Sequence, residues 1–355
     1  MENNLKTYKK LKILVTGSTG FKGSWLCFWL NLLGARIIGV ALKPEHGSVI
    51  FNRLKIKNKI KQYYVDISNF NKLNKIIAKE KPNLIFHLAA QSIVSQSYKK
   101  PLETISTNVV GSANLLESVK KNNIKNLVYI SSDKCYQNDN RNSSYKESDP
   151  LGGDDIYSSS KASAELIFSS FYKSFFSIKK NIKYASARAG NVIGGGDLKK
   201  DRIIPDIYKS IIQNKSLIMR NPSAIRPWQH VLEPLYGYLT LGSFLINNRI
   251  SNRTKPHWNF GPNKNNFKTV FEVTKNILYV WKIKKKIKIK KNKNFKETKI
   301  LKLNNNKSLN ELNWKPTLNF NETIQLTVDW YKALKSNKDL EKITIKQIKF
   351  FVKKI

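Results

Sequence analysis

The sequence has little cysteine and no long hydrophobic run. Its two cysteines, Cys27 and Cys135, are too few for a disulfide framework or a cysteine-based metal site. A reducing compartment is the simplest expectation, so we predict a cytoplasmic protein that binds no metal. Residues 1–10 are polar and do not resemble a signal peptide. The apolar runs are too short to cross a bilayer, and we expect no membrane partner.

Acidic residues are also scarce. The chain has 24 of them against 64 lysines and arginines, which gives a formal net charge of +40 over 355 residues. Such a charge raises the question of binding to nucleic acid or to an anionic membrane. The lysines are spread along the chain among Asn and Ile, as in residues 55–61, and no nucleic-acid-binding module is recognisable. We therefore expect no nucleic-acid partner.

Short apolar runs alternate with helical periodicity over the first part of the chain. We predict strands at residues 12–15, 36–40, 63–67, 84–90, 127–130 and 184–188, and helices at 24–34, 106–121, 157–176, 320–334 and 340–352. This alternation predicts an α/β fold with a doubly wound parallel sheet of the Rossmann type, whose ligands bind at the carboxyl ends of the strands. The lysine-rich residues 282–293 are interpreted as a strand or a solvated segment without function.

The first predicted strand and helix are joined by Gly-x-x-Gly-x-x-Gly, with Gly17, Gly20 and Gly23. Glycine permits a tight turn and lets a pyrophosphate approach the backbone at a helix N-terminus. A glycine-rich loop can lack a ligand, but strand, loop and helix in this order favour dinucleotide binding. Residues 41–43 end the second strand without the usual ribose-binding carboxylate, so this position does not settle NAD against NADP.

Tyr157 and Lys161 lie four residues apart in a predicted helix and so share one face. A neighbouring cation lowers the pKa of a phenol from ~10, which makes tyrosine a usable base near neutrality. Taken alone, the pair is a weak signal, and an ordinary helix start with solvated serine and lysine is the better explanation.

Other polar residues follow predicted strands. Asp66 lies where a carboxylate could meet the adenine end of a dinucleotide, whereas His87 is interpreted as a core histidine. Residues 131–134 come directly after a strand, at an end where ligands bind. The polar, turn-rich residues 138–155 are typical of a loop over an active site.

Three later segments combine arginine with proline, asparagine or tryptophan, at residues 201–205, 220–222 and 226–231. Any one of these arginines could be a surface charge. Together they favour loops that hold phosphate and sugar hydroxyls, because a guanidinium binds such anions through two parallel hydrogen bonds.

As a set, these motifs resemble the extended short-chain dehydrogenase/reductase family. The resemblance rests on Thr-Gly-Ser-Thr-Gly-Phe-Lys-Gly at 16–23, His-Leu-Ala-Ala-Gln at 87–91, Thr-Asn-Val-Val-Gly at 107–111, and Tyr157 with Lys161. Within that family, the CDP-glucose 4,6-dehydratases are similar at residues 20–26, 132–136, 149–153, 188–197, 220–222 and 226–234. The resemblance covers about residues 12–351 and is weakest after residue 263.

The resemblance implies a hydro-lyase that converts CDP-glucose to CDP-4-keto-6-deoxyglucose and water without net oxidation. It further implies a tightly bound, recycled NAD, a homodimer formed through helices 105–121 and 158–176, and a place in deoxysugar and surface polysaccharide biosynthesis, such as O-antigen. A dinucleotide-binding domain would span residues 1–190. A smaller mixed α/β substrate-binding domain, interleaved with the first, would span residues 191–355.

The roles that the resemblance implies are as follows. Tyr157 would take the proton from the C4 hydroxyl, Ser132 would hydrogen-bond O4, and Asp133 would protonate the leaving C6 hydroxyl, which requires a raised pKa. Lys134 replaces the glutamate that acts as the C5 base in the dTDP-glucose 4,6-dehydratases. It would either act as a neutral base, its pKa lowered by burial near Lys161, or stay charged and stabilise the enolate.

The candidate site residues fall into three groups. The catalytic candidates are Ser132, Asp133, Lys134, Tyr157 and Lys161. The cofactor-binding candidates are Gly17, Thr19, Gly20, Phe21, Lys22, Gly23, Asp66, Ile67, Leu88, Ala89, Ala90, Gln91, Asn108, Tyr157 and Lys161. The substrate-binding candidates are Asn191, Arg202, Arg220, Arg226 and His230.

Two alternatives remain. A nucleotide-sugar 4-epimerase or decarboxylase on the same scaffold would share Tyr157 and Lys161 but would not need Asp133 and Lys134. A catalytically silent nucleotide-binding regulator facing nucleic acid would not need Tyr157, and the intact set of Ser132, Tyr157 and Lys161 argues against it.

Overall fold

A computed structural model of the chain describes residues 2–44, 49–179, 181–250, 255–290 and 298–355. At its centre is a seven-stranded sheet in the order β11-β6-β5-β4-β1-β2-β3, and all its strand pairs are parallel. The strands of the chain are β1 Lys12–Thr16, β2 Arg36–Ala41, β3 Lys61–Tyr64, β4 Leu84–His87, β5 Asn126–Ile130, β6 Lys183–Ala189, β7 Val192–Ile193, β8 Leu217–Met219, β9 Ile225–Pro227, β10 Gln229–His230, β11 His257–Phe260, β12 Phe267–Thr269 and β13 Ile287–Ile289. The predicted doubly wound α/β fold is confirmed.

Helices cover both faces of the sheet. They are α1 Glu2–Lys6, α2 Phe21–Leu32, α3 Val49–Arg53, α4 Phe70–Glu80, α5 Val94–Lys99, α6 Pro101–Ile105, α7 Gly111–Lys121, α8 Ile156–Phe171, α9 Ile203–Ile212, α10 Leu232–Ile246, α11 Val270–Trp281, α12 Asn306–Leu312, α13 Phe320–Lys335 and α14 Leu340–Lys354. Single π-helical turns at Ser106–Val110 and Tyr172–Phe176 adjoin α7 and α8.

The buried strands explain why both faces need helices. Ile13 and Val15 of β1 pack in one core with α2, α10 and α14, whereas Leu14 between them packs with α4, α7 and α8. Successive side chains of a strand point to opposite faces, so a strand that is apolar throughout is buried on both. A further apolar cluster joins α9, α11 and α13 in the later part of the chain.

Three predicted boundaries are wrong. The first helix begins at Phe21 rather than at residue 24, because the glycine loop leads directly into it from the N-cap Gly20. The third strand ends at Tyr64 rather than at residue 67, where the Asp66 side chain accepts a hydrogen bond from Ser68 N (2.8 Å) and turns the chain. The fourth ends at His87 rather than at residue 90.

The lysine-rich stretch contains a short strand. Ile287–Ile289 forms β13, which pairs in parallel with β8, while residues 291–293 lie outside the described residues. His87 is buried in β4, as predicted. In the described ranges, every helix is too short or too polar to cross a membrane.

Candidate active site

The glycine loop between β1 and α2 packs tightly against backbone at positions where a side chain would not fit. Gly17 has a φ of +72°, and a Cβ there would lie 2.8 Å from Ala89 N. A Cβ on Gly23 would lie 2.0 Å from Gly17 O. The first turn of α2, a helix of 12 residues, carries no acidic side chain. Its positive N-terminal end therefore fits a pyrophosphate.

The residues after β2 and β3 lie at the same edge of the sheet. Thr19 Oγ1 donates a hydrogen bond to Leu42 O (3.1 Å), which ties the glycine loop to the end of β2. Asp66 is exposed after β3, and Ile67 is buried beside it. Both residues therefore lie at the carboxyl edge of the sheet.

The residues after β4 are held by side chains from two other elements. Leu88 N and Ala89 N each donate to Thr16 Oγ1 at 3.1 Å, and Ala90 is half-buried beside them. Gln91 N donates to Asn108 Oδ1 (2.8 Å). This backbone therefore lies fixed beside the glycine loop.

Asn108 connects this loop to the helix that carries Tyr157. Its Nδ2 donates to Gln91 O at 3.0 Å and to Ser160 Oγ at 2.9 Å. Ser160 Oγ in turn donates to Tyr157 O (2.7 Å). The contacts of Asn108 are thus with the protein itself, and the side chain orders α8 as well as the cofactor loop.

Tyr157 and Lys161 share one face of α8, whose first turn is capped by the Asp155 side chain accepting from Ser158 N (3.0 Å). Burial raises the pKa of Tyr157 to about 12 and lowers the pKa of Lys161 to about 8. The predicted lowering of the Tyr157 pKa by its cationic neighbour is therefore wrong for the protein alone. Loss of hydration penalises the phenolate more than the surrounding charges stabilise it.

Ser132, Asp133 and Lys134 follow β5 in a turn of 3₁₀-helix. Ser132 Oγ donates to Asp133 Oδ1 (3.1 Å) and accepts from Lys134 N (3.2 Å). Lys134 Nζ donates to Thr298 Oγ1 (2.7 Å). Asp133 is 2% exposed, and burial raises its pKa. That is the direction a proton donor requires.

Asp133 owes its position to a glycine. Gly190 follows β6, and a Cβ at this residue would lie 1.9 Å from Asp133 Oδ2. The Oδ2 atom is buried and has no hydrogen-bond partner among the described residues. A side chain at 190 would therefore displace the carboxyl group.

These residues meet around a cavity of about 340 Å³. Its lining includes Phe21, Lys22, Ser132, Asp133, Lys134, Tyr157, Asn191, Arg202, Arg220 and Arg226. A second cavity of about 620 Å³ shares Asp133 and Lys134 with it and is otherwise lined mainly by residues of the 138–155 loop, of 221–225 and of 298–301. The structure thus joins catalytic and substrate-binding candidates from distant parts of the chain.

The candidate arginines are held in place by the protein. Arg202 Nη1 pairs with Asp197 Oδ2 (2.7 Å), and its Nη2 donates to Ser92 Oγ (2.7 Å). Arg220 Nη1 pairs with Asp201 Oδ1 (2.9 Å). These contacts reduce the side-chain entropy that would be lost on binding a diphosphate.

Arg226 is 6% exposed. Its Nη1 donates to the carbonyl oxygens of Ile225 (3.0 Å) and Lys299 (3.3 Å). A nearly buried guanidinium at the wall of a cavity is suited to an anionic ligand, since its attraction is little screened there.

His230 is not brought to this cavity. It is fully buried in β10, its Nδ1 accepts from Leu232 N (3.4 Å), and its ring centroid lies 6.1 Å from that of Trp25. It does not line either cavity, so its position favours packing over the predicted contact with substrate.

Two further residues lie beside the candidate site, Lys22 and Thr298. Lys22, predicted only as a cofactor residue, lines the smaller cavity with its Nζ 5.8 Å from the Tyr238 ring centroid. Burial, helped by Lys161 and Arg202, lowers the pKa of Lys22 to about 8. Thr298 lies in a lysine-rich region with no motif, so no sequence signal identified it. The sequence did contain a signal for Lys22, because it is the one charged residue in the otherwise apolar or small segment 20–26.

The arrangement can move protons on a sugar and hold an anionic group beside it. A phenol, a hydroxyl, a buried carboxyl group and amines face one cavity, and arginines lie at its wall. Proton transfer at neighbouring carbon and oxygen atoms of one ligand needs such a set of groups.

Two sequence comparisons bear on this site. The sequence model of the family described as GDP-mannose 4,6 dehydratase matches residues 14–327. A CDP-glucose 4,6-dehydratase of Salmonella typhimurium is 42% identical over 334 residues, which are 93% of this chain and 92% of that protein.

Solved structures share the fold. The dTDP-glucose 4,6-dehydratase of Bacillus anthracis, solved in complex with NAD, has a TM-score of 0.77 at 24% identity and covers 93% of this chain and 99% of its own. The UDP-glucose 4-epimerase of Thermotoga maritima, solved with UDP-glucose, has a TM-score of 0.78 at 20% identity, with 91% and 99% covered. Likeness at these identities shows the fold alone, which dehydratases and epimerases have in common.

Proposed function

Since the chain belongs to the GDP-mannose 4,6-dehydratase family of extended short-chain dehydrogenases/reductases, we propose that it is an NAD-dependent CDP-glucose 4,6-dehydratase. It converts CDP-glucose to CDP-4-keto-6-deoxyglucose and water. The observation that carries the proposal is the cavity in which Ser132, Asp133 and Lys134 face Tyr157. The 42% identity to the Salmonella enzyme over 93% of the chain supports the choice of substrate.

The residues at the carboxyl edge of the sheet fit NAD. Gly17, Gly20 and Gly23 allow the close packing that leads β1 directly into α2, and a pyrophosphate would bind the backbone N–H groups at the N-terminus of that helix. The loop after β4, held by Thr16 and Asn108, lies beside it. NAD bound there supplies the hydride acceptor for C4, the hydride donor for C6 and, when oxidised, a positive charge.

The first proton moves at O4. Tyr157 Oη takes it as the C4–H bond breaks, and Ser132 Oγ hydrogen-bonds O4. The Lys161 ammonium, one turn along α8, favours the phenolate against the burial that raises the Tyr157 pKa. The product of this step is a ketone at C4.

Water then leaves across C5 and C6. The ketone acidifies the C5 proton, and the electrons of the C5–H bond form the C5=C6 double bond as the C6–O bond breaks. Asp133, whose raised pKa keeps its proton available, gives that proton to the departing hydroxyl. As an amine, Lys134 takes the C5 proton and returns it to C5 when C6 is reduced. As an ammonium, it stabilises the enolate, while water accepts the C5 proton and later returns it.

Asn191, Arg202, Arg220 and Arg226 hold the sugar and the diphosphate in this proposal. All four line the smaller cavity. Arg226 is the strongest candidate for the diphosphate because it is the most buried of the three arginines.

Turnover of CDP-glucose deuterated at C4 tests the proposal. We expect the product to have lost one water, no net NADH to form, and the label to appear at C6. Label retained at C4, or an unchanged mass with CDP-galactose formed, would overturn the proposed dehydratase activity. Comparing CDP-, UDP-, dTDP- and GDP-glucose in the same assay tests which nucleotide base the enzyme prefers in its substrate.

We also propose a homodimer formed through helices 105–121 and 158–176, with the adjoining α5 and α6 at its edge. Exposed apolar side chains cluster there, on α5, α6, the π-helical turn and α8: Tyr98, Leu102, Ile105, Val110 and Leu166. Leu102 is 79% exposed. Neighbouring apolar side chains of this kind mark an interface on a folded protein.

Light scattering coupled to size-exclusion chromatography tests the dimer. A Leu102→Glu/Leu166→Glu variant should elute as a monomer. Leu309→Glu on α12, where Leu309 is 44% exposed, is the matched control and should leave the mass unchanged. A wild-type monomer would refute the proposal.

The cytoplasm is the proposed location. Cys27 and Cys135 are both free and buried, as in proteins of reducing compartments. Cell fractionation tests it, and recovery from an extracytoplasmic fraction would overturn it. The place in O-antigen biosynthesis and the domain division at residue 190 stay predictions.

A further inference from the structure

Residues 298–303 form a strap that links separate parts of the active site. Lys299 N donates to Asn140 Oδ1 (2.8 Å), and Ile225 N donates to Lys299 O (2.9 Å). Tyr145 N donates to Lys302 O (2.9 Å). The strap is therefore bound both to the 138–155 loop and to β9.

Buried side chains fix the strap. Leu301 is 1% exposed and Leu303 is 3% exposed, and both pack with Tyr136 and Tyr145 in one apolar cluster. A hydroxyl carried by such a segment has a defined position relative to the sheet.

The first residue of the strap contacts a catalytic candidate. Thr298 Oγ1 accepts a hydrogen bond from Lys134 Nζ at 2.7 Å, between residues 164 positions apart. Lys134 lines both cavities, and Thr298 lines the larger one. The contact thus lies where the two cavities adjoin.

We propose that Thr298 is a positioning residue that directs the Lys134 amine toward C5 of the sugar. The inference rests on the proposed dehydration. An amine donates to the threonine hydroxyl whether it is neutral or charged, so the contact serves either role of Lys134.

The strap also connects this contact to the substrate-binding arginine. Lys299 O accepts from Arg226 Nη1 (3.3 Å), one residue after Thr298. Adjacent residues of one segment therefore contact both Arg226, which is proposed to bind the diphosphate, and Lys134.

Thr298→Val removes the acceptor while keeping the branched shape. We expect kcat to fall roughly 10–100-fold, as for a catalytic group displaced by about 1 Å, with KM for CDP-glucose little changed. The isotope effect on kcat should rise for CDP-glucose deuterated at C5 and not for that deuterated at C4. Thr298→Ser, which keeps the hydroxyl, should restore the wild-type values.

Lys302→Ala is the matched control on the same strap, since the Lys302 side chain contacts Asn142 Oδ1 (3.3 Å) and the Phe267 ring and lines neither cavity among the described residues. It should behave as the wild type. Wild-type kcat in Thr298→Val, or a loss with equal C4 and C5 isotope effects, would overturn the inference. If the valine variant does not fold, Thr298→Ala replaces it, with the same expected changes in kcat and in the C5 isotope effect. A wild-type enzyme that does not dehydrate CDP-glucose would refute the proposed function instead.

Discussion

Three lysines lie at the candidate site: Lys22 and Lys134 line the smaller cavity, and Lys161 is one turn after Tyr157 in α8. Two of them have a pKa that burial lowers to about 8. An ammonium of this kind keeps its charge at neutrality but is easily neutralised by a modest rise in pH. Activity should therefore respond to alkaline pH well below the range in which an ordinary lysine titrates.

We predict that kcat falls as pH rises through about 8. Lys161 is protonated below its pKa of about 8, and loss of its charge above that value removes the group that favours the Tyr157 phenolate. Measuring kcat from pH 6 to 10 checks this.

Lys22 titrates in the same window, so the profile of Lys22→Met assigns the fall. If Lys161 is responsible, the Lys22→Met variant still shows the fall in kcat as pH rises through about 8. A wild-type kcat that is flat or rising across pH 8 would contradict the prediction.

Residue identities at the site were largely readable from the sequence, and their environments were not. The spacing of Tyr157 and Lys161 placed them on one helix face, as observed. The direction of the Tyr157 pKa was misjudged because it depends on how completely tertiary packing excludes water. His230 was predicted to contact substrate but is buried away from both cavities. A sequence motif does not show which side of a strand faces a ligand.

A buried ion pair connects β6 to α8, the helix that carries Tyr157 and Lys161. Arg188 Nη2 lies 2.8 Å from Glu165 Oε2, and both side chains are almost fully buried. Arg188 Nη1 also donates to Tyr136 Oη (2.9 Å). Although burial acts to raise it, Arg188 and His257 hold the pKa of Glu165 well below its usual range.

Glu165→Gln should lower the free energy of unfolding by about 3–5 kcal/mol, because Arg188 is left as an unpaired buried charge. Urea denaturation at pH 7 measures it. The lowered pKa means that the pair stabilises the protein above the unfolded-state pKa of ~4.3 and is lost as pH falls below it.

The variant should therefore lose less stability than the wild type between pH 5 and 3. A Glu165→Leu/Arg188→Met double variant should be less destabilised than the sum of its single changes. Additive effects would show that the two side chains do not stabilise each other.

Glu233, in the first turn of α10, joins that helix to the segment before α13. Its Oε1 accepts from Thr317 N (2.9 Å) and Leu318 N (2.5 Å). Burial raises its pKa to about 8, so the folded protein holds this proton more tightly than the unfolded chain. Its contribution to stability thus declines as pH rises from ~4.3 to about 8 and is constant above that.

Glu233→Gln keeps the acceptor oxygen and cannot ionise. At pH 8.5 we expect it to be more stable than the wild type by about 1–3 kcal/mol, with no difference near pH 4. Denaturation at both pH values measures this. Glu233→Leu, which loses the acceptor oxygen, should be less stable than the wild type at both pH values. A Glu233→Gln variant with a lower free energy of unfolding than the wild type at pH 8.5 would contradict the prediction.

At the scale of the whole molecule, ligand binding joins the two halves of the chain. The smaller cavity is lined by residues from 21 to 270, so a bound nucleotide contacts elements that are far apart in sequence. Anything that binds only the folded state stabilises it, by ~2.7 kcal/mol at a concentration of 100 Kd.

We therefore predict that CDP raises the melting temperature, and more than UDP or dTDP does at equal concentration. Thermal denaturation in 0.15 M salt measures the shifts, with inorganic pyrophosphate as the control for charge alone. Equal shifts by all nucleotides would show that the site does not select the base.

The sequence predicted the alternating half of the fold better than the rest. Six strands of the sheet lay in apolar runs, but β11 was missed because His257–Phe260 is short and mixed. The strap at 298–303 was missed for the opposite reason, since its lysine-rich neighbourhood resembles solvent-exposed chain. Both are placed by contacts with distant residues, which local patterns do not encode.

Gly190 limits the order in which this site could have been acquired or lost. With a side chain at that position, the Asp133 carboxyl group has no place, because the Cβ would lie 1.9 Å from its Oδ2. An ancestor that lacked the glycine could not have gained from an aspartate at 133 until the glycine was in place. Conversely, a lineage that lost the acid first would be free to fill the space, and that second substitution would block reversion.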